Sequence, residues 1–324
     1  MDKPRAVVAT HGHCFDGMAS AVLFTHLIRS VDPRAAQGDF VYRGQAYDPG
    51  KNGVDPAIFA GAEVTAILDF RYTATDSLTW YFDHHASAFP SSREREHFDK
   101  LQQKHHAFYD AQCTSCTKLI ADVAHRDFGL DMSKYAELTR WADMIDSANF
   151  PTPQLAVDRS EPVMKLLAVI EQQGDDKLLD DLVRRLLERP LDEVAAMPDL
   201  VARYGPIGAL HRAQVERIRT REERRGPVVY VELLDAVTET VTKFVTYADV
   251  PDAMYSVIAS RTDKRCKVSV GYNPWCGKER AHDISKICER YGGGGHPVVG
   301  AIALPADVEK CREIALEIVA ELGG

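Results

Sequence analysis

Three short apolar runs within the first 85 residues each stop on a histidine or an aspartate. Ala6-Val7-Val8-Ala9 leads into His11-Gly12-His13-Cys14-Phe15-Asp16-Gly17, Ala66-Ile67-Leu68 into Asp69, and Trp80-Tyr81-Phe82 into Asp83-His84-His85. Apolar runs of this length read as strands, and a helical pattern from Met18 to Ile28 separates the first from the second. Strands alternating with helices predict a parallel sheet with helices on its faces. Ligands of such sheets bind beyond the carboxyl ends of the strands, which is where Asp16, Asp69 and His84 fall.

The remainder divides by pattern. Helical spacing dominates from Cys116 to about Arg225, with breaks expected at Pro151-Thr152-Pro153, Gly174, Pro190 and Pro198, because proline removes a helical hydrogen bond. The charged run Arg219 to Arg225 reads as the solvated face of a helix connecting two domains. Beyond it, Val228 to Leu234, Thr240 to Thr246, Tyr255 to Ala259 and Lys267 to Gly271 read as strands. A helix from Ile284 to Tyr291, a glycine loop, a strand from Val298 to Leu304 and a helix from Val308 to Leu322 complete a smaller α/β domain. The expected domains are 1–198, a helical connector 199–226, and 227–324.

A chain of 324 residues, 45% hydrophobic and 27% charged, can bury two ordinary cores. Its net charge of -9 opposes binding of long duplex nucleic acid, whose affinity comes mainly from basic side chains. Small anionic substrates stay open, since a bound divalent ion supplies local positive charge. No apolar run reaches the ~20 residues of a membrane span, and no signal-peptide pattern precedes Ala6, so a cytoplasmic protein without membrane association is expected. Seven scattered cysteines imply reduced thiols. Cys113 and Cys116 form a lone CxxC, read as a small-residue helix start holding both in its first turn.

Imidazoles and carboxylates on loops after parallel strands suit divalent manganese, zinc, iron or cobalt, and a carboxylate can bridge two ions. His84 offers a ligand, His85 a neighbour for the substrate, and Asp83 a group that orients an imidazole. His26, His97, His105, His106, His125 and His211 are read as ordinary surface or core residues. The segment Gly292-Gly293-Gly294-Gly295-His296 can present backbone N–H groups to an anion, or can simply cap the helix before it.

With Asp83-His84-His85, the upstream His and Asp loops and the downstream Gly-Gly-Gly-His, the chain resembles the DHH/DHHA1 phosphoesterase superfamily along nearly its whole length. The resemblance implies a parallel-sheet DHH domain plus a smaller α/β DHHA1 domain joined by a helical connector. It also implies metal-dependent hydrolysis of phosphodiester bonds in short oligonucleotides or dinucleotides, in the 3′-5′ direction. A pAp phosphatase or exopolyphosphatase-like phosphomonoesterase is the alternative, and a non-catalytic nucleotide-binding sensor a further one. Two divalent ions are implied, manganese first. Asp16, Asp69, His84 and Asp146 would hold one, and His11, Asp69 and Cys14 the other, with His13 and Asp143 as fallback ligands. Cys14 stands where most members carry an acid, and a softer thiolate admits iron, zinc or cobalt. Asp83 and His85 would act in catalysis. Gly293, Gly294, Gly295 and His296 would bind substrate, as would Arg261 or Asn273 in place of an arginine that many members carry. The expected partner is a short oligonucleotide or nucleotide, and a homodimer is compatible with all of this.

Overall fold

In the computed structural model, which describes residues 5–35, 38–47, 53–238 and 244–324, the apolar runs of the first part become strands. They are β1 (Arg5–His11), β2 (Asp39–Gln45), β3 (Val64–Leu68), β4 (Trp80–Asp83) and β5 (Ala107–Tyr109). All pair in parallel, in the order β2-β1-β3-β4-β5. This is a doubly wound order whose switch point lies between β1 and β3, and ligands of such sheets sit at that point. Val7, Ala9, Ile67 and Tyr81 pack on one face against Phe98 and Leu101 of the helix Ser92–Gln102, while the alternate residues Val8, Ala66, Leu68 and Phe82 are also buried. Burial on both faces explains why these runs read as continuously apolar rather than alternating. The edge strands β2 and β5 are not legible in the sequence: β2 ends in Arg43-Gly44-Gln45 and β5 has three residues.

Three helices bring functional residues to the sheet's carboxyl edge: α1 (Phe15–Val31), α2 (Cys116–Phe128) and α3 (Ala136–Asp146). Helix α1 is buried nearly all round, as expected for a helix lying between a sheet and other helices. Only Cys116 belongs to α2; Cys113 lies in the preceding turn, because Ser115 caps the helix through Lys118 N–H at 3.1 Å. The CxxC is therefore not one helical turn.

The chain divides into two units, Met1–Asn149 with Glu161–Ile207, and Phe150–Ser160 with Gly208–Gly324. The second holds a six-stranded sheet in the order β10-β11-β9-β8-β7-β6, from β6 (Glu222–Arg225), β7 (Val228–Leu233), β8 (Tyr255–Arg261), β9 (Arg265–Tyr272), β10 (Gly294–His296) and β11 (Val299–Pro305). Only β7 and β8 pair in parallel. Val228 and Tyr230 face the core formed with the helices Ile284–Glu289 and Val308–Gly323, and Val229, Val231 and Leu233 face the opposite core, the period of two expected of a strand.

Two sequence-based expectations fail in this unit. The helix expected to run to Arg225 ends at Arg219, and Glu222–Arg225 is an edge strand hairpinned to β7 through Gly226-Pro227, with Gly226 at φ +60. The turn overrides the helical preference of charged residues, and those charges suit an exposed edge. Of the strand expected over Thr240 to Thr246, residues 240–243 lie outside the described residues, and Val245–Asp249 is a helix.

Glu222 supplies a pH test of this hairpin. Burial, with Asp249 nearby, pushes its carboxyl up to about 7, and its Oε1 is buried without a hydrogen-bond partner. A carboxyl raised from 4.5 binds its proton more tightly folded than unfolded, so this stability is present below pH 4.5 and lost as pH rises through about 7. Denaturant melts at pH 5 and 8 should show Glu222→Gln gaining about 1 kcal/mol over the native chain at pH 8, allowing for its partly exposed side chain, and only a small fraction of that at pH 5.

Candidate metal centre

His11 closes β1, and Gly12-His13-Cys14 turns the chain into α1, with His13 at φ 55 and Cys14 as the helix N-cap. The turn is tight enough that a Cβ on Gly17 would lie 2.2 Å from the His11 carbonyl oxygen. Asp16, in the first turn of α1, is buried. Its Oδ2 accepts from Cys116 N–H at 2.7 Å and its Oδ1 from Thr117 N–H at 3.0 Å, capping free amides at the start of α2.

Asp69 follows β3 in a left-handed conformation, φ 54, which a non-glycine residue adopts at some cost. Its N–H donates to Phe82 C=O, and its carboxylate is fully buried. Three imidazoles surround it at 3.6 Å: His11 Nδ1 from Oδ2, and His84 Nε2 and His85 Nδ1 from Oδ1. These are ionic contacts, too long for hydrogen bonds. His84 Nε2 also lies 3.3 Å from Asp146 Oδ2 and 4.0 Å from Asp16 Oδ2. The Cys113 carbonyl, 3.1 Å from His84 Nδ1, accepts the proton there and points Nε2 towards the carboxylates.

The electrostatics are those of a site lacking positive charge. Burial, then the Asp69 and Asp146 charges, push Asp16 well above the usual carboxylate range, and burial with Asp69 raises Asp146. Burial and then Asp69 and Asp16 raise the Cys14 thiol. Burial disfavours the His84 imidazolium, but Asp69, Asp16 and Asp146 outweigh it and carry its pKa up to about 9. Burial also works against the Asp69 charge, and the imidazoles of His11 and His84 override it.

Both Asp69 oxygens and His84 Nε2 are buried without any hydrogen bond. Leaving three such atoms unsatisfied is expensive, and a divalent cation would satisfy all three. The donor atoms fall into overlapping groups, each within 4.8 Å: His11, Cys14 and Asp69; Asp16, His84 and Asp146; Asp69, His84 and His85. Asp69 belongs to two of them. Oxygen, imidazole nitrogen and sulfur together fit a borderline divalent metal.

No known family profile matches the chain, and no curated protein matches it. Solved structures do. The pGpG-specific phosphodiesterase PggH from Vibrio cholerae superposes with TM-score 0.68 at 17% identity, over 99% of both chains. A DHH-domain protein described as a member of a ribosomal-protein family gives 0.62 at 14%, over 99% of this chain and 88% of that one. The chain has the DHH fold. RecJ from Thermus thermophilus, solved with Mn2+, matches at 0.56 and 11% identity over 98% of this chain but 52% of its own.

Within the DHH fold the naming triplet divides its labour. Asp83 Oδ1 accepts from His84 N–H (2.9 Å), His85 N–H (3.3 Å) and His85 Nδ1 (2.7 Å), and Oδ2 from Tyr81 O–H (2.8 Å). Fully buried and fully bonded, Asp83 positions His85. His85, 30% exposed, keeps Nε2 free. His13 bonds the Glu171 carbonyl at 3.2 Å and Asp143 accepts from Thr114 and Ser115 hydroxyls, so both fallback ligands lie outside the groups above. Of the two aspartates of α3, Asp146 joins the cluster.

In the second unit, Asn273 corrects the substrate reading: buried, its Nδ2 donates to the Pro251 and Ala253 carbonyls and its Oδ1 accepts from Trp275 N–H. Trp275 packs on Phe244 and Tyr247, with its indole N–H on the Phe150 carbonyl. Arg261 pairs in register with Cys266 at one end of β8, whereas β10 aligns with Ser256 to Ile258. The offset from Ser256 is about 17 Å along the strand, so the sheet does not bring Arg261 to the glycine element. Gly292 and Gly293 spend their N–H groups on the Glu289 and Cys288 carbonyls as a helix cap, with Gly292 at φ +76. Gly293 and Gly295 are required by close strand approach, since a Cβ would meet Ala301 O at 2.3 Å and Val299 O at 2.2 Å. Gly294 belongs to the same hairpin, and His296 at its end is exposed.

Among the described residues no helix is long and apolar enough to cross a membrane. The sequence reading missed the Cys113 carbonyl, Tyr47 and Arg71, all beside the cluster. The unrecognised β2 hid Tyr47, and the position of Arg71 two residues after Asp69 was its only signal.

Proposed function

We propose that the chain is a metal-dependent phosphoesterase that cuts phosphodiester bonds of short oligonucleotides or linear dinucleotides, releasing mononucleotides. The observation that carries this reading is the convergence of Asp69 Oδ1, Asp69 Oδ2 and His84 Nε2, buried and unbonded, at the switch point of a DHH-fold sheet. His11, Cys14 and Asp69 would hold one divalent ion, and Asp16, Asp69, His84 and Asp146 a second. Such ions supply the positive charge that makes water acidic at neutral pH and neutralises phosphoryl oxygens. The protein's own part is orientation. Asp16 is anchored by two amides of α2, His84 by the Cys113 carbonyl, and His85 by Asp83, which leaves the His85 Nε2 edge to contact a phosphate oxygen. The PggH likeness supports a dinucleotide-sized substrate.

The test is product analysis with chelator-treated protein and added Mn2+. Mononucleotides released from a linear dinucleotide, with pAp and polyphosphate cut poorly, support the reading; orthophosphate from pAp alone would replace it with a phosphomonoesterase. Cys14 gives an independent check. Cys14→Asp should shift the metal retained on purification from zinc or iron towards manganese, read by elemental analysis; an unchanged metal profile would take Cys14 out of the ligand set.

A further inference from the structure

One cation beside the metal cluster has no acidic partner among the described residues. Arg71, in the loop leaving β3, holds its guanidinium carbon 4.8 Å from the centre of the Tyr47 ring. Tyr47, just beyond β2, packs 4.4 Å from Phe70 and edge-on to His11 at 5.1 Å, with His85 at 6.4 Å. Arg34, Arg43, Arg140 and Arg184 of the same unit each pair with a carboxylate. Arg71 is half-buried, and its guanidinium forms no hydrogen bond or ion pair with any described residue.

A guanidinium laid over an aromatic ring is restrained before any ligand arrives, and its N–H groups can take two oxygens of one phosphate at once. The ring distances put Arg71 within about 10 Å of the His11 imidazole, about one screening length at ~0.1 M salt. Arg71 touches neither Asp69 nor Asp83, so its charge is not spent on the cluster. Tyr47 is 37% exposed, which keeps this corner open to a ligand.

We propose that Arg71, braced by Tyr47, binds a second phosphate of the substrate, one nucleotide from the bond being cut. The site then prefers a 5′-phosphorylated dinucleotide to a dinucleoside monophosphate, which carries only the scissile linkage. This rests on the phosphodiesterase reading above and specifies its substrate.

The experiment compares kcat/KM for 5′-phosphorylated and unphosphorylated dinucleotides of one sequence, for the native chain, Arg71→Ala and Arg71→Lys, with metal content and thermal melts as controls. The expected result is a native preference for the phosphorylated compound that falls roughly 10- to 100-fold in Arg71→Ala, mostly through KM, and is partly restored by Arg71→Lys. Equal loss on both compounds, carried by kcat, or no native preference would overturn the assignment. If the native chain cleaves neither compound, the phosphodiesterase reading fails. Equilibrium binding of the same pair then decides Arg71 by itself: a native preference lost in Arg71→Ala supports it, and equal affinities overturn it.

Discussion

Asp69→Asn should lower kcat/KM for a linear dinucleotide by roughly 1,000-fold or more while leaving the fold intact. Asp69 is the one carboxylate shared between the His11 and Cys14 group and the His84 and His85 group, so its charge bears on both candidate ions. A merely destabilising substitution would keep the rise in melting temperature on adding Mn2+, and this one should abolish it. In metal-free protein the Asp69 charge is held against its burial by the His11 and His84 imidazoles, so an amide there should lower the metal-free melting temperature modestly. Stabilisation by Mn2+, about 2.7 kcal/mol at one hundred times Kd for one site, should disappear. Melts with and without Mn2+ test this. A Mn2+-induced rise equal to that of the native chain would take Asp69 out of the metal site.

The second large effect belongs to Gly17→Ala. The added methyl would sit 2.2 Å from the His11 carbonyl oxygen and 3.1 Å from Thr10 Oγ1, both fixed by β1, so helix and strand must separate. Overpacking against backbone should cost about 3 kcal/mol, lowering Tm by roughly 6–12 °C in a unit of this size. His11, Cys14 and Asp16 hang on this turn, so metal affinity should fall in protein that is still folded at low temperature. Calorimetry gives both numbers. Native-like Tm and metal affinity together would show that the turn relaxes freely.

The ligand cluster was legible because parallel strands end on one edge: His11, Asp69 and His84 each follow an apolar run, and the sheet brings them together. Asp83 shows what a run of letters hides. Asp83 ends β4 on the same face as Tyr81, two residues before it, and turns to Tyr81 and His85, whereas His84 lies beyond the strand and reaches the cluster. The glycine segment has the composition of an anion loop, yet two of its amides cap a helix and its missing side chains admit a hairpin. Asn273 read as a ligand-binding amide, but the backbone of Pro251, Ala253 and Trp275 uses it up. Helical charge patterning at Arg221 to Arg225 gave way to a two-residue turn. The glycine segment, Asn273 and the charged run all depend on backbone partners chosen by tertiary structure, which side-chain patterns do not record.

The most direct test is a calorimetric titration of chelator-treated protein with Mn2+, for the native chain and Asp69→Asn side by side. Saturable binding by the native chain, lost in the variant while its circular dichroism is unchanged, is the predicted result. Equal binding by both, or none by the native chain, would contradict an Asp69-centred metal site.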